Sequence, residues 1–255
     1  NTIRDECWKS QCNDPYWHGV FGGLYLSNLR KPIYEHLIKA DKLTDQLRHQ
    51  DENWIEYEVT DFDKDGREEI IIQSSVFSLY FSPFTGGTLY ELDFKPKDFN
   101  LLNILSRHEE GYHRKISEIK NTEIDPTEKF ASIHDLLGVK EEGLEKLLTY
   151  DWYRRGSFID HFLGKNASLD DFVKCQYPEQ GDFINQPYKY EINKKEGSLE
   201  LILSRNGFVW VDDKRANINL VKSISMKGNK NQLEITYELK NNSPETVDLW
   251  FGVEF

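Results

Sequence analysis

The chain has 255 residues, with 32 basic and 44 acidic side chains, and a formal net charge of −12. Its 38% hydrophobic and 30% charged residues exclude a disordered acidic tail, a collagen-like fibre and a disulfide-dense mini-protein. The acidic excess repels phosphate backbones, and no apolar run approaches the roughly 20 residues of a membrane span. The sequence therefore predicts a globular protein with neither a nucleic-acid partner nor a membrane segment.

The cysteines and the single methionine bear on location and chain boundaries. Three cysteines, Cys7, Cys12 and Cys175, are an odd number, which favours a reducing cytoplasm over an oxidising compartment. Cys7, Cys12 and His18 are an alternative set of zinc ligands, but their spacing is unusual for zinc, and buried thiols are the expected outcome. Because Met226 is the only methionine, we expect that the chain does not begin at a translation start.

Residues 1–52 are predicted to form a short α-helical segment. From Pro32, apolar residues recur every three or four positions, which indicates one face of an amphipathic helix, and Pro32 suits its first turn. These apolar positions are Ile33, Leu37, Ala40, Leu43 and Leu47. The aromatic and glycine-rich stretch from Tyr16 to Leu29 is interpreted as a turn that leads into another short helix.

Residues 53–255 are predicted to form a large antiparallel β-sandwich, so the fold class is mainly β. Short apolar runs separated by turn residues carry this prediction. The predicted strands are Trp54 to Val59, Glu69 to Ser74, Phe77 to Phe81, Thr88 to Asp93, Tyr188 to Ile192, Leu199 to Ser204, Phe208 to Val211, Ile218 to Met226, Leu233 to Leu239 and Val247 to Phe255. Two stretches of the middle part can be either short helices or excursions from a sheet: Ile133 to Leu137 and Gly143 to Tyr150. The last run ends without a turn, so we expect the sandwich to be truncated.

A candidate sugar-binding segment lies near the start of the chain. Amide, carboxylate, imidazole and aromatic side chains fall within a few residues of one another: Asn13, Asp14, Tyr16, Trp17 and His18. Aromatic rings stack on the apolar face of a pyranose, and the polar groups bond its hydroxyls. An aromatic corner between packed helices is the alternative, and the residues alone leave both open.

A candidate calcium loop follows the first predicted strand. Carboxylates at alternating positions, with a glycine for the turn and an acid after it, suit a hard cation that prefers oxygen ligands. The expected ligands are Asp61, Asp63, Asp65, the Arg67 carbonyl and Glu69. The acid at the ninth position argues against an EF-hand. We expect calcium to be structural here, and the alternative is an ordinary acidic surface turn.

Histidines next to acidic residues form a third candidate set. They are His108 and His113 near Glu109 and Glu110, His134 beside Asp135, and His161 beside Asp160. An acid and a base of this kind would suit a sugar mutarotase, although hydrogen-bonded pairs that brace loops are the commoner outcome. Arg154 and Arg155 are expected to form ion pairs with Asp151 and Asp160.

The string QCNDPYWHGVFGGLYLSNLR resembles a signature stretch of glycoside hydrolase family 57, the α-amylase and 4-α-glucanotransferase group. DFDKDGREEI, YFSPFTGGTLYELDFKP, NLLNILSRHEEGYHRK and YDWYRRGSFIDHFL also resemble that family, in the expected order. The resemblance implies a helical part followed by a galactose-mutarotase-like β-sandwich. It also implies that a catalytic barrel, which carries a glutamate nucleophile and an aspartate acid/base, precedes these parts.

The resemblance predicts a non-catalytic C-terminal portion of an enzyme that acts on α-glucans. No segment corresponds to the stretches with the two catalytic carboxylates, so no catalytic residue is assigned and the chain alone is expected to be inactive. Trp17 and His18 would help to complete the glucan cleft. The expected partners are an α-glucan (starch, glycogen or a maltooligosaccharide) and the N-terminal barrel of the parent chain. An independent carbohydrate-binding module and a mutarotase are the alternatives.

Overall fold

A computed structural model describes residues 2–18, 22–51, 53–114 and 143–255. The chain divides into two compact units. The larger consists of Asn1–Leu105, Arg155–Ala167 and Pro178–Phe255, and the smaller of Ser106–Arg154 and Ser168–Tyr177. Every helix in the described ranges is too short or too polar to span a membrane.

Two α-helices open the larger unit: α1 is Thr2–Ser10 and α2 is Ser27–Arg48, and two 3-10 turns, Asp14–Tyr16 and Gly23–Tyr25, lie between them. The predicted amphipathic helix is confirmed as α2, but Pro32 lies inside it. The predicted inward face is partly wrong, because Leu37 and Leu47 are exposed while Asp45 is buried. Asp45 is drawn inward by its ion pair with the buried Lys95, with 2.6 Å between Oδ2 and Nζ.

The first sheet has five antiparallel strands in sequence order. The strands are β1 (Ile55–Thr60), β2 (Glu69–Ser74), β3 (Phe77–Ser82), β4 (Thr88–Phe94) and β5 (Phe99–Asn100). The first four match the predicted runs to within a residue at each end. All six residues of β3 are buried, which is typical of a central strand covered on both faces.

A second sheet has four antiparallel strands in the order β10-β9-β8-β7, and a third pairs β11 with β6. The strands are β6 (Ile159–Leu163), β7 (Lys189–Lys195), β8 (Ser198–Val211), β9 (Lys214–Lys227), β10 (Leu233–Asn241) and β11 (Trp250–Glu254). The predicted break at Asn206-Gly207 is wrong, because these residues pair with Asn219 and Ile218 inside the β8–β9 ladder. A side chain at Gly207 would lie 2.5 Å from Asp182 Oδ1, so close packing explains this glycine.

The core lies between the five-stranded and four-stranded sheets. Alternate residues of both sheets belong to one buried cluster, which includes Ile70 and Leu79 from the first sheet and Leu201 and Leu220 from the second. Burial of alternate residues on two facing sheets is the pattern of a β-sandwich. The predicted antiparallel β-sandwich, preceded by a short helical segment, is therefore confirmed.

The smaller unit contains a 3-10 helix, Leu144–Leu147, and a short helix, α3 (Leu169–Val173). Ser168 begins α3 with a capping box, in which its hydroxyl accepts from the Asp171 backbone N–H. The 3-10 helix falls within the stretch from Gly143 to Tyr150 that the sequence left open. The other open stretch, Ile133 to Leu137, lies outside the described residues.

Candidate functional site

The candidate sugar segment forms a 3-10 turn and an extended residue between α1 and α2. Asp14 and Tyr16 lie in the turn, and Trp17 follows it in an extended conformation. All five candidate side chains are exposed, and Trp17 retains 52% of its accessible surface. The Tyr16 hydroxyl donates to the Ser10 carbonyl over 2.7 Å, and the His18 ring meets the Tyr25 ring edge-on at 5.1 Å. The segment therefore presents aromatic and polar groups together at the surface.

Gly23 fixes the backbone that carries Trp17. Its φ is +49°, a left-handed conformation, and a Cβ atom at this position would lie 2.1 Å from the Trp17 carbonyl oxygen. That oxygen accepts a hydrogen bond from Leu24 N over 3.1 Å. Only a glycine lets the chain come this close, so the position of Trp17 depends on it.

A cavity of about 500 Å³ lies beside this segment and includes Tyr16 in its wall. The other wall residues are Pro15, Arg30, Ile33, Tyr34, Leu37, Ile38, Asp41, Phe62, Tyr80, Glu91 and Asp93. Burial raises the pKa of Asp93 to about 7, although the Asn100 amide and the Glu91 side chain hydrogen bond to it. Burial also raises the pKa of Tyr80. Trp17 and His18 are not part of this wall, so Tyr16 and its neighbour Pro15 link the predicted segment to the cavity.

The sequence signal for the cavity wall is weak. Arg30 belongs to the quoted signature string, but Tyr80 and Asp93 lie on inner strands and carry no local pattern that distinguishes them from core residues. Only the packing of α2 against the five-stranded sheet brings them together.

The acidic loop brings three of its predicted ligands together. One ligand oxygen from each of Asp61, Asp63 and Asp65 lies within 4.8 Å of the others. Oδ1 of Asp61 is buried and has no hydrogen-bond partner among the described residues. Oxygen donors in this arrangement fit a calcium ion.

The Glu69 carboxylate does not join this group of oxygens. Oε2 of Glu69 accepts the Phe62 backbone N–H over 3.0 Å. Burial raises the pKa of the Glu69 carboxyl, and the charges of Asp63 and Asp65 raise it further. The Arg67 guanidinium lies 4.6 Å from the centre of the Phe84 ring. The roles of Glu69 and of the Arg67 carbonyl as ligands stay predictions.

The histidines fall into separate parts of the chain. His161 is buried in β6 of the larger unit, and its two ring nitrogens lie 3.1 Å from carboxylate oxygens of Glu179 and Glu254. Burial lowers the pKa of His161, but the two carboxylates outweigh burial and raise it above its ordinary value. An imidazole occupied on both sides favours bracing of the fold over contact with a sugar.

The other histidines lie elsewhere in the chain than His161, and the ion pairs around Asp151 and Asp160 involve other partners. His108 is exposed, Nδ1 of His113 accepts from Glu110 N over 3.1 Å, and His134 lies outside the described residues. The predicted pairing of an arginine with Asp160 is wrong. Arg155 pairs with Glu254 over 2.6 Å, whereas Asp151 pairs with Arg107 and Asp160 with Lys222.

The cysteines give no support to a zinc site. No disulfide joins any of Cys7, Cys12 and Cys175, and the described residues hold a single cluster of candidate metal ligands, at Asp61, Asp63 and Asp65. The expectation of buried thiols is wrong for Cys12, which is exposed.

Comparison with known families assigns both parts of the chain. The sequence model described as alpha-amylase/4-alpha-glucanotransferase, C-terminal, matches residues 61–255, and the corresponding middle-domain model matches residues 1–44. The first match alone covers well over half of the chain. The chain belongs to the alpha-amylase/4-alpha-glucanotransferase family. The resemblance that the signature strings suggested is thereby confirmed.

Relatives and a solved structure from this family align with nearly the whole chain. Alpha-amylase 1 of Dictyoglomus thermophilum is 40% identical over 98% of the chain and 34% of the relative. The 4-alpha-glucanotransferase of Thermococcus litoralis is 38% identical over 81% of the chain and 29% of the relative. The crystal structure of the latter superposes with a TM-score of 0.76 and covers 98% of this chain and 33% of that one. The chain thus spans about a third of the length of these relatives.

Each of the two candidate sites lies in a different family match. Asn13 to His18 lie in the part that matches the middle domain of the family, whereas the acidic loop opens the C-terminal match at Asp61.

Proposed function

We propose that this chain is a non-catalytic portion of an α-glucan-acting glycoside hydrolase or transferase, of the α-amylase or 4-α-glucanotransferase type. In this role, the segment from Asn13 to His18 contributes one wall of a glucan cleft, and the β-sandwich supports it. The observation that carries the proposal is the exposed Trp17, held in place by Gly23, within the part that matches the family's middle domain. Exposed aromatic faces of this kind suit stacking on a pyranose.

The expected partners follow from the same family. The ligand is an α-glucan such as starch, glycogen or a maltooligosaccharide, and the protein partner is the N-terminal catalytic barrel of the parent chain. We propose a cytoplasmic location, because an odd number of cysteines, three in this chain, favours a reducing compartment.

Replacing Trp17 by alanine tests the cleft wall. We expect Trp17→Ala to weaken the binding of maltoheptaose at this wall about tenfold, because the largest exposed stacking surface of the segment is lost. Isothermal titration calorimetry measures the change. The matched control is Trp8→Ala, since Trp8 is a comparably exposed tryptophan on α1, outside the candidate segment. Equal affinity in Trp17→Ala and the unmodified chain would contradict the wall.

We also propose that Asp61, Asp63 and Asp65 hold a structural calcium ion, with Glu69 and the Arg67 carbonyl as further ligands. The support is the convergence of three carboxylate oxygens and the buried, unpartnered Oδ1 of Asp61. A bound cation would offset the mutual repulsion of the carboxylates and join the ends of β1 and β2.

Calcium is expected to raise the melting temperature. At a calcium concentration of about 100 times the Kd, the rise is on the order of 5 °C relative to the protein in EDTA. Differential scanning calorimetry measures it. The variant Asp63→Asn should lose most of the rise, because it removes one negatively charged ligand. A calcium response that is absent, or that persists unchanged in Asp63→Asn, would remove the site.

A further inference from the structure

Two tryptophans lie on the outer surface of the β-sandwich, far along the chain from Trp17. Trp210 in β8 and Trp250 in β11 retain 52% and 48% of their accessible surface. Their strand neighbours Val209 and Phe251 pack on the core, so strand alternation turns both rings outward. Outward positions of a sheet with one solvated face normally carry polar side chains. Two large aromatic rings there suggest a ligand surface.

Backbone pairing places the two tryptophans on opposite sides of one surface groove. We call this groove the trough, and Trp210, Gln180 and Trp250 line it. Trp250 pairs with Leu163, Leu163 forms a bridge with Glu179, and Gly181 forms a bridge with Val209. Three strand spacings therefore separate β11 from β8, which is about 14 Å. Trp210 N also donates to the Gln180 carbonyl over 2.8 Å, which ties the floor of the trough to one wall.

Polar side chains line the same trough, which encloses about 350 Å³. Gln180 lies on its floor, and Asn166, Asp212 and Asp248 contribute to its wall. Gly164 keeps the floor clear, since a Cβ atom there would lie 3.0 Å from Pro178 Cγ and 3.6 Å from Gln180 Nε2. A few amide and carboxylate groups between two aromatic rings suit a ligand that has both apolar faces and hydroxyls.

We propose that this trough, defined by Trp210, Gln180 and Trp250, binds an α-1,4-glucan chain as a second site on the sandwich. The rings stack on glucose units, and the polar groups bond their hydroxyls. The separation of about 14 Å between the strands that carry the rings suits an oligosaccharide rather than a single sugar. Asp212 and Asp248 outnumber Lys165 in the wall, so a neutral glucan is favoured over a phosphorylated one. The choice of an α-glucan rests on the proposed function.

The trough is tested by titrating maltoheptaose into the intact chain and into Trp210→Ala and Trp250→Ala. With binding at the Trp17 wall fitted as a separate site, each variant is expected to weaken maltoheptaose binding at the trough about tenfold, while Trp8→Ala keeps the affinities of the unmodified chain. Both tryptophans are half-exposed, so the variants should keep the melting temperature of the unmodified chain. Absence of maltoheptaose binding to the unmodified chain, or unchanged affinity in both trough variants, would overturn the proposal.

A footprinting experiment needs no variant. Oxidation of surface tryptophans with N-bromosuccinimide, followed by peptide mass spectrometry, should show that maltoheptaose protects Trp210 and Trp250 but leaves Trp8 reactive. Equal oxidation of Trp210 and Trp250 with and without the sugar would overturn the trough. Protection of Trp17 alone would also overturn the trough, but it would support the proposed cleft wall. Protection of Trp210 and Trp250 without Trp17 would support the trough and contradict the cleft wall.

Discussion

Replacing Lys222 by methionine is expected to lower the free energy of unfolding by about 3–5 kcal/mol, because it leaves a buried carboxylate without its counter-charge. Lys222 occupies an inward position of β9 and is fully buried. Its ammonium group donates to the carbonyls of Gly86 and Phe158 and to Oδ2 of Asp160, over 2.9, 2.6 and 2.9 Å. Burial lowers the pKa of Lys222, and Asp160 opposes that shift.

Urea denaturation of two further variants separates burial from charge. Lys214→Met removes a lysine from the same strand that pairs with Glu245 at the surface, and it should leave the free energy of unfolding unchanged. The double variant Lys222→Met with Asp160→Asn should recover part of the loss, since neither residue of the buried pair then carries a charge. A loss in Lys222→Met no larger than in Lys214→Met would show that the buried pair does not stabilise the fold.

Ionisation of the buried Asp93 carboxyl is expected to lower the free energy of unfolding as the pH rises. Its pKa is raised to about 7 in the folded protein, mainly by burial, from an ordinary value of 3.8. The folded state therefore holds this proton more tightly than the unfolded chain. The cost is absent below about pH 4, grows as the pH rises toward about 7 and stays constant above that, reaching about 2–4 kcal/mol.

Asp93→Asn should remove this cost. We expect the variant to be more stable than the unmodified chain at pH 8 by about 2–4 kcal/mol and equally stable near pH 4, because the amide carries no charge at either pH. It keeps an oxygen that can accept the Asn100 amide N–H, which donates to Oδ1 of Asp93 over 2.9 Å.

Denaturation curves across this pH range measure the effect of Asp93→Asn. His161 has a raised pKa and also contributes stability that is lost as the pH rises, but both proteins share it. The control Asp213→Asn removes the same charge from an exposed turn and should keep the pH profile of the unmodified chain. Parallel profiles for Asp93→Asn and the unmodified chain would contradict the raised pKa.

The sheets were predictable where strands alternate and where turns separate them. β1 to β4 agree with the predicted runs because their apolar patterns are short and bounded. β6 was not predicted, because its five residues include Asp160 and His161, whose burial depends on partners distant in sequence: Lys222, Glu179 and Glu254. The same limit applies to Asp45, which is buried through Lys95.

The candidate sites also differ in whether a local sequence pattern predicts them. The acidic loop is local, so its spacing alone placed Asp61, Asp63 and Asp65 together. The Trp210–Trp250 trough depends on two isolated β-bridges between segments that are distant in sequence, so no local motif predicts it. The cavity beside Tyr16 requires α2 to pack on the first sheet, which periodicity predicts only as a helix with an apolar face.

One experiment on the unmodified chain tests most directly whether it binds an α-glucan without catalysing its conversion. Maltoheptaose is titrated into the protein by calorimetry, and the same sample is then incubated and its oligosaccharides are separated by chromatography. We expect saturable binding, with the maltoheptaose recovered unchanged. Shorter or longer oligosaccharides would show that this chain carries catalytic residues, and absence of binding would show that it is not a glucan-binding part of such an enzyme.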